Sequence, residues 1–364
     1  MLAFLNGAVT TPAAGSDKDI DYTPDLTAEA YWDSHHICLV RVTGTWNDAA
    51  GKEWIAYRVL RQFSTDPVEQ TRSLLLAHLW FGPAEAGQPR IESNTLLVVY
   101  YAKVSPSPTV VAEVRGDPRP SPLVRRLERI SDLRAQKGGF EALTEAVFDP
   151  DQVIALYCLK RLLSSQTFPP PAGYVARLLT QRENPARDSQ VRLLTSDLVN
   201  KLEAKPAASE DDYLWLRAAV EQSKAEDWTQ LRPFLNRLLD FASKRTETVA
   251  FLCGLATDAK RAEATRIAAY STFDDSRLFH FTQPDAESER IFNACIEMLK
   301  DRQPVMRRAG AALLYNISVR INPELSRNYI GRARTAIAEA ISVEADEGTS
   351  SQMKTYLGLL SKRA

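Results

Sequence analysis

The sequence is poor in everything that would hold a metal or start covalent chemistry. Four histidines and four cysteines are spread over 364 residues, and no Cys-x-x-Cys occurs. No two histidines stand three or four residues apart, so no helix face can present a His pair to zinc. His35 and His36 are neighbours, and in a strand neighbours point to opposite faces. Cys38, Cys158, Cys253 and Cys295 each lie in an apolar stretch, where a free thiol packs as a small hydrophobe. None of the 15 glycines forms Gly-x-Gly-x-x-Gly or Gly-x-x-x-x-Gly-Lys-Ser/Thr, so no phosphate cradle is legible. Gly-x-Ser-x-Gly is missing as well. These absences give the expectations of no metal site, no cofactor and no enzymatic activity.

No apolar run reaches the roughly 18 residues that a membrane-spanning helix needs. The start, Met1 to Val9, is apolar but carries no basic flank and is short for a signal peptide. The reading leans to a cytoplasmic protein, with export left open. Net charge is −1, so the whole chain carries no electrostatic signature for nucleic acid or anionic membrane. It divides unevenly, with −5 over residues 1–114 and +4 beyond them, which fits two units of different character. Hydrophobic and charged fractions of 45% and 25% are those of an ordinary globular chain.

What is present falls into two regimes. After a flexible segment 1–25 and a short helix over Leu26–Ser34, branched and aromatic residues cluster in runs bounded by Gly, Pro, Asn and Asp. The runs are Ile37–Trp46, Glu53–Phe63, Ser73–Phe81, Thr95–Val104 and Thr109–Val114, and each reads as a strand. Five such strands over residues 26–114 predict a small all-β barrel or sandwich. The turn Val42-Thr43-Gly44, then Tyr57–Arg61, then Leu96–Tyr101 resemble the small OB-like barrels of the netrin or tissue-inhibitor type. The cysteine pairs of the secreted members are missing, and no inhibitor role is carried over.

Prolines at 106, 108, 118, 120 and 122 end the β region, and residues 115–122 read as a Pro-rich linker. From 123 to 364 the periodicity is helical. Ser121-Pro122 and Asp149-Pro150-Asp151 are helix-start signals. Leu123, Leu127, Ile130 and Leu133 share a face, as do Val191, Leu194, Leu198 and Leu202. Further helices are expected near 172–182, 213–223, 230–243, 246–257, 260–271, 285–300, 303–321, 323–343 and 350–362. Stripes this narrow cannot be buried by one pair of helices, so pairs must stack. Asp301–Leu314, with Pro304, Val305, Arg307, Ala309, Ala312 and Leu313, resembles the second helix of a HEAT repeat, and Asp149–Leu156 is a poorer copy. The resemblance implies an all-α HEAT-like or armadillo-like array, an α-α superhelix. A fixed period near 40 residues is not visible elsewhere, and a non-repetitive helical bundle stays open.

The functional expectation is therefore a class: a non-catalytic binding or scaffold protein that uses a helical-repeat surface for a protein or peptide partner. Two arginine groups, represented by Arg125, Arg126 and Arg129 and by Arg307 and Arg308, offer the alternative of a phosphate backbone. The plainer reading is that they form solvated faces. Trp215 and Trp228 are candidates for the border of a partner groove. An enzyme without a recognisable motif is the remaining alternative. Oligomeric state is not legible.

Overall fold

The computed structural model describes residues 25–64, 71–75, 93–102, 108–114, 122–135, 139–165, 170–204, 209–223 and 227–363. The N-terminal 24 residues, His78, Trp80 and nearly all of the expected linker lie outside them. The chain forms two compact units, Met1–Tyr174 and Val175–Ala364.

The first unit begins with α1 (Glu29–Ser34), followed by β1 (His35–Asn47), β2 (Glu53–Gln62), β3 (Thr71–Leu75), β4 (Leu96–Ala102) and β5 (Pro108–Val114). These strands form one antiparallel sheet in the order β3-β2-β1-β4-β5. The sheet is open: β3 and β5 are its edges, and no pairing joins them among the described residues. Of the expected small all-β barrel or sandwich, the described residues show a single open antiparallel sheet. Pro108 explains where β5 can sit, because proline cannot donate to a ladder and is tolerated at the start of an edge strand.

Alternation sets the faces of the hairpin. Val40 and Val42 are buried while Arg41 and Thr43 are exposed, and Ile55, Tyr57 and Val59 answer them from β2. The turn is built on Asp48, whose Oδ1 accepts from the N–H groups of Ala50 and Lys52, both at 2.9 Å. Gly51 takes the left-handed conformation there, at φ 73°. Trp46 and Trp54 face each other across the strands with rings stacked at 6.3 Å.

Three helices complete this unit: α2 (Pro122–Arg134), α3 (Gly139–Ala146) and α4 (Gln152–Ser164). They belong with the sheet. Ser131 donates to the carbonyl of Phe63 at 2.9 Å, Arg61 pairs with Glu128, and Arg134 reaches Asp33 and Glu29 at 2.8 Å each. The short helix α3 was not foreseen; it is only two turns long and begins at a left-handed glycine, Gly139. Helix α4 starts where Asp149-Pro150-Asp151 predicted. Asp151 Oδ1 accepts from the Val153 N–H at 2.9 Å, and its Oδ2 accepts from Arg126 Nε at 2.8 Å. Asp151→Ala removes both bonds. It should destabilise the protein by about 1–2 kcal/mol in chemical denaturation, a cap plus a partly buried ion pair.

The second unit is entirely helical among its described residues. It holds most of α5 (Tyr174–Glu183), then α6 (Ser189–Leu202), α7 (Glu210–Glu221), α8 (Arg232–Leu239), α9 (Arg245–Thr257), α10 (Glu263–Tyr270), α11 (Ala286–Met298), α12 (Pro304–Arg320), α13 (Pro323–Val343) and α14 (Glu347–Ser361). The starts follow local chemistry. Asp188, Ser209, Asp285, Asn322 and Asp346 cap α6, α7, α11, α13 and α14 with side-chain oxygens, while Pro304 and Pro323 occupy first-turn positions that have no need of an N–H.

One continuous apolar core runs from Tyr213 to Leu360. Within it α9 packs on α10, α11 on α12 and α13 on α14, while α9 also meets α11 and α12 meets α14. Helices α9, α11 and α13 begin at residues 245, 286 and 323, and α10, α12 and α14 at 263, 304 and 347. Within each of these two sets successive starts are 37 to 43 residues apart.

Candidate binding sites

Six arginines of the second unit reach across to a carboxylate on another helix or turn. Arg266 pairs with Asp301, Arg307 with Glu344, Arg245 with Asp285, Arg277 with Asp240, Arg237 with Asp197 and Arg332 with Glu289. The partners in these six pairs are separated by 35 to 43 residues, the same step as the helices. Each pair therefore ties one helix or turn to another helix or turn about 40 residues away in the chain. Arg307 and Glu344 meet through two bonds, Nε to Oε2 at 2.5 Å and Nη2 to Oε1 at 2.6 Å. Fork-to-fork geometry of this kind is strong and directional.

The arginines singled out from the sequence are distributed accordingly. Arg126 is held by Asp151 and Arg307 by Glu344. Arg125 and Arg129 are exposed on α2, and Arg308 is half-buried at the start of α12. The α2 group lies in the first unit and the α12 group in the second. Trp215, on α7, is buried and packs edge-on against Phe234 at 5.7 Å, with the guanidinium groups of Arg182 and Arg192 over its ring at 5.0 and 5.8 Å. Trp228 is half-buried against the core with Arg232 at 5.9 Å. No ring contact joins the two tryptophans among the described residues.

Two concavities stand out instead, and neither was legible beforehand. In the second unit a shallow groove of about 610 Å³ runs between α11 and α13. Asn293, Arg327, Asn328, Thr335 and Glu339 line it, and Arg332 forms part of its wall. Arg332 is fixed by Glu289 at 2.8 Å, Asn293 at 2.9 Å and the faces of Phe292 and Tyr329. Arg327 is exposed and makes no hydrogen bond or ion pair among the described residues. Gly331 lies in the groove, and a Cβ placed on it would meet nothing within 4 Å.

In the first unit a cavity of about 510 Å³ opens among α1, α2, α3 and α4. Leu133, Leu143, Phe140 and the Tyr157 ring give it an apolar wall, and Lys160 and Arg161 a cationic rim. Phe140 is 51% exposed. Glu29 sits between Arg134 and Arg161, at 2.8 and 2.5 Å, and burial together with this carboxylate raises the Tyr157 phenol far above its ordinary value. No sequence signal marked this cavity, because Phe140 belongs to the unforeseen α3 and Lys160 and Arg161 read as ordinary surface positions of α4.

All four cysteines are buried thiols outside any disulfide. Burial pushes the thiols of Cys158 and Cys253 up to about 12, which leaves them protonated and unreactive at neutral pH. Among the described residues no group of three His, Cys, Asp or Glu side chains could hold a metal ion, and no helix is long and apolar enough to cross a membrane.

The ion pairs also fix a pH response. Asp285 is drawn far down by the Arg245 hydrogen bond, burial opposing and Ser288 assisting. Glu344 is lowered chiefly by Arg307, and Asp301 ends lowered because Arg266 and the Gln303 N–H outweigh its burial. A carboxyl whose folded-state pKa is depressed contributes stability above its unfolded pKa and loses it as pH falls through the folded one. The denaturation midpoint of the second unit should therefore drop steadily from about pH 4.5 to pH 2. Arg245→Gln should lower the plateau near neutrality and flatten that acid slope. An unchanged slope would show that Asp285 is not linked to folding through Arg245.

The chain matches no family model, no curated protein and no solved structure.

Proposed function

We propose that the chain is a non-catalytic binding or scaffold protein whose helical half is a HEAT-like array, with the groove between α11 and α13 as the surface for a protein or peptide partner. The recurrence of equivalent helices at steps of about 40 residues supports the array. So do the arginine–carboxylate pairs spanning the same interval and the resemblance carried by Asp301–Leu314. The observation that carries the binding reading is the groove itself. It combines Arg327, which has no partner among the described residues, with amide groups from Asn293 and Asn328 and empty space over Gly331. Amide and guanidinium donors around a small-residue floor suit a peptide segment that brings carbonyl and carboxylate acceptors. The nucleic-acid alternative has weaker support, because Arg126 and Arg307 are already satisfied by Asp151 and Glu344.

The test is comparative capture on the full chain. Gly331→Trp puts a bulky ring into the groove from a position whose Cβ would meet nothing within 4 Å, Arg327→Glu reverses its free charge, and Lys354→Glu changes an exposed residue of α14 as control. A partner held by the wild type and the control but lost from both groove variants is the expected result. Equal recovery by all four proteins would remove the groove from the account.

A further inference from the structure

The cavity of the first unit is independent of the groove and has a different chemistry. Its volume falls within the range of small-molecule sites, roughly 300–1,000 Å³. Four helices supply its lining, so the shape is set by packed elements rather than by one loop. Two features ask for a ligand. The first is Phe140, a large aromatic ring left half in solvent on a helix whose Leu143 and Ala146 are buried. The second is a surplus of hydrogen-bond donors at the rim. Arg161 uses only Nη1, toward Glu29 Oε1 at 2.5 Å and the Tyr157 hydroxyl at 3.2 Å; its Nε and Nη2 make no bond among the described residues. Lys160 Nζ donates to Thr27 Oγ1 at 2.5 Å and reaches Asp25 only at 3.4 Å, which leaves it a third proton to give.

The exposed acceptors nearby are already engaged, and Glu29 Oε2, which has no hydrogen-bond partner among the described residues, is buried. Asp25 takes the Thr27 N–H at 3.0 Å as well as its hydroxyl, and Glu29 is held by both Arg134 and Arg161. Asp25, Glu29 and Asp33 balance Lys160, Arg161 and Arg134 in charge. An incoming head that brings acceptors and one negative charge would use the spare donors of Lys160 and Arg161. A cationic head would meet those two cations, and the unbonded acceptor, Glu29 Oε2, is buried away from it. The apolar wall then accounts for the rest of the ligand.

We propose that this cavity binds a long-chain carboxylate, with its hydrocarbon chain against Leu133, Phe140 and Leu143 and its carboxylate between Lys160 and Arg161. Phe140 would be covered by the chain on binding, and Arg161 would keep its bond to Glu29 while donating through Nε and Nη2.

Calorimetric titration of the full chain with dodecanoate, dodecanol and dodecylamine, below their aggregation concentrations, tests the assignment. Lys160→Gln and Phe140→Ser change side chains that are about half exposed, and unchanged melting without ligand confirms that each variant folds. One dodecanoate should bind per chain, with dodecanol weaker by about tenfold, the worth of a charge-assisted hydrogen bond. Lys160→Gln should weaken dodecanoate several-fold and leave dodecanol unchanged, whereas Phe140→Ser should weaken both. Absence of dodecanoate binding would overturn the proposal. So would dodecylamine binding as tightly as dodecanoate, or wild-type affinity in both variants.

Discussion

Arg266→Met should destabilise the second unit by about 3–5 kcal/mol, the effect expected when one member of a buried ion pair is removed and the other is left behind. The Arg266 side chain is only 2% exposed. Its guanidinium answers the carboxylate of Asp301, the Gln303 Oε1 at 3.1 Å and the Ala256 carbonyl at 3.1 Å. Methionine fills much of the volume but gives no donor, so a nearly buried carboxylate and a helix-end carbonyl lose their partner together. Adding Asp301→Asn should restore more than half of the loss. Asparagine removes the stranded charge and can still accept from the Gln303 N–H, which now bonds to Asp301 at 2.9 Å. Urea denaturation of the single and double variants measures both effects. A loss below about 1 kcal/mol for Arg266→Met would place that pair among the weak surface bridges.

Gly310→Leu should be at least as damaging, for a steric reason. Gly310 lies where α12 crosses α11, and a Cβ there would stand 2.8 Å from the Cys295 carbonyl oxygen, 3.1 Å from Met298 Cβ and 3.3 Å from the Leu299 nitrogen. The first and third of these are backbone atoms of the neighbouring helix and its end, so the contact is relieved only by moving the helices apart. Overpacking of a core in this way costs about 1–3 kcal/mol for small additions and more for a branched side chain against backbone. Gly310→Ala should fall in the lower range and Gly310→Leu above it. Gly331 supplies the contrast, with nothing within 4 Å of its virtual Cβ. Gly331→Ala should stabilise the protein by up to about 1 kcal/mol through helix propensity alone. Thermal melts of the three variants decide whether the two glycines differ as their surroundings require.

Much of this fold is legible in the letters, for identifiable reasons. Strands β1, β2, β4 and β5 announce themselves through branched and aromatic runs bounded by turn residues. The helices from α4 onward do so through caps such as Asp151, Ser209 and Asp285 and through apolar stripes. Barrel closure was not legible, since strand order and the pairing of edges depend on contacts far apart in sequence. The role of the arginines was hidden similarly. Arg266 and Asp301, or Arg307 and Glu344, stand 35 and 37 residues apart, beyond any local charge pattern. A list of basic residues therefore reads as a free surface where the fold makes internal ties. The cavity escaped because its wall combines α3, whose glycine-led start masks a two-turn helix, with positions on α1, α2 and α4 that individually look unremarkable.

Helices of the second unit are joined by ion pairs between residues about 40 apart in the chain, and a double-mutant cycle on Arg307 and Glu344 tests this most directly. Arg307→Met, Glu344→Gln and the double variant are compared with the wild type by equilibrium denaturation. The bidentate contact predicts a coupling of about 1–3 kcal/mol between the two positions, the double variant losing less than the sum of the singles. Single effects that add within about 0.3–0.5 kcal/mol would contradict the claim, because residues that do not touch behave that way.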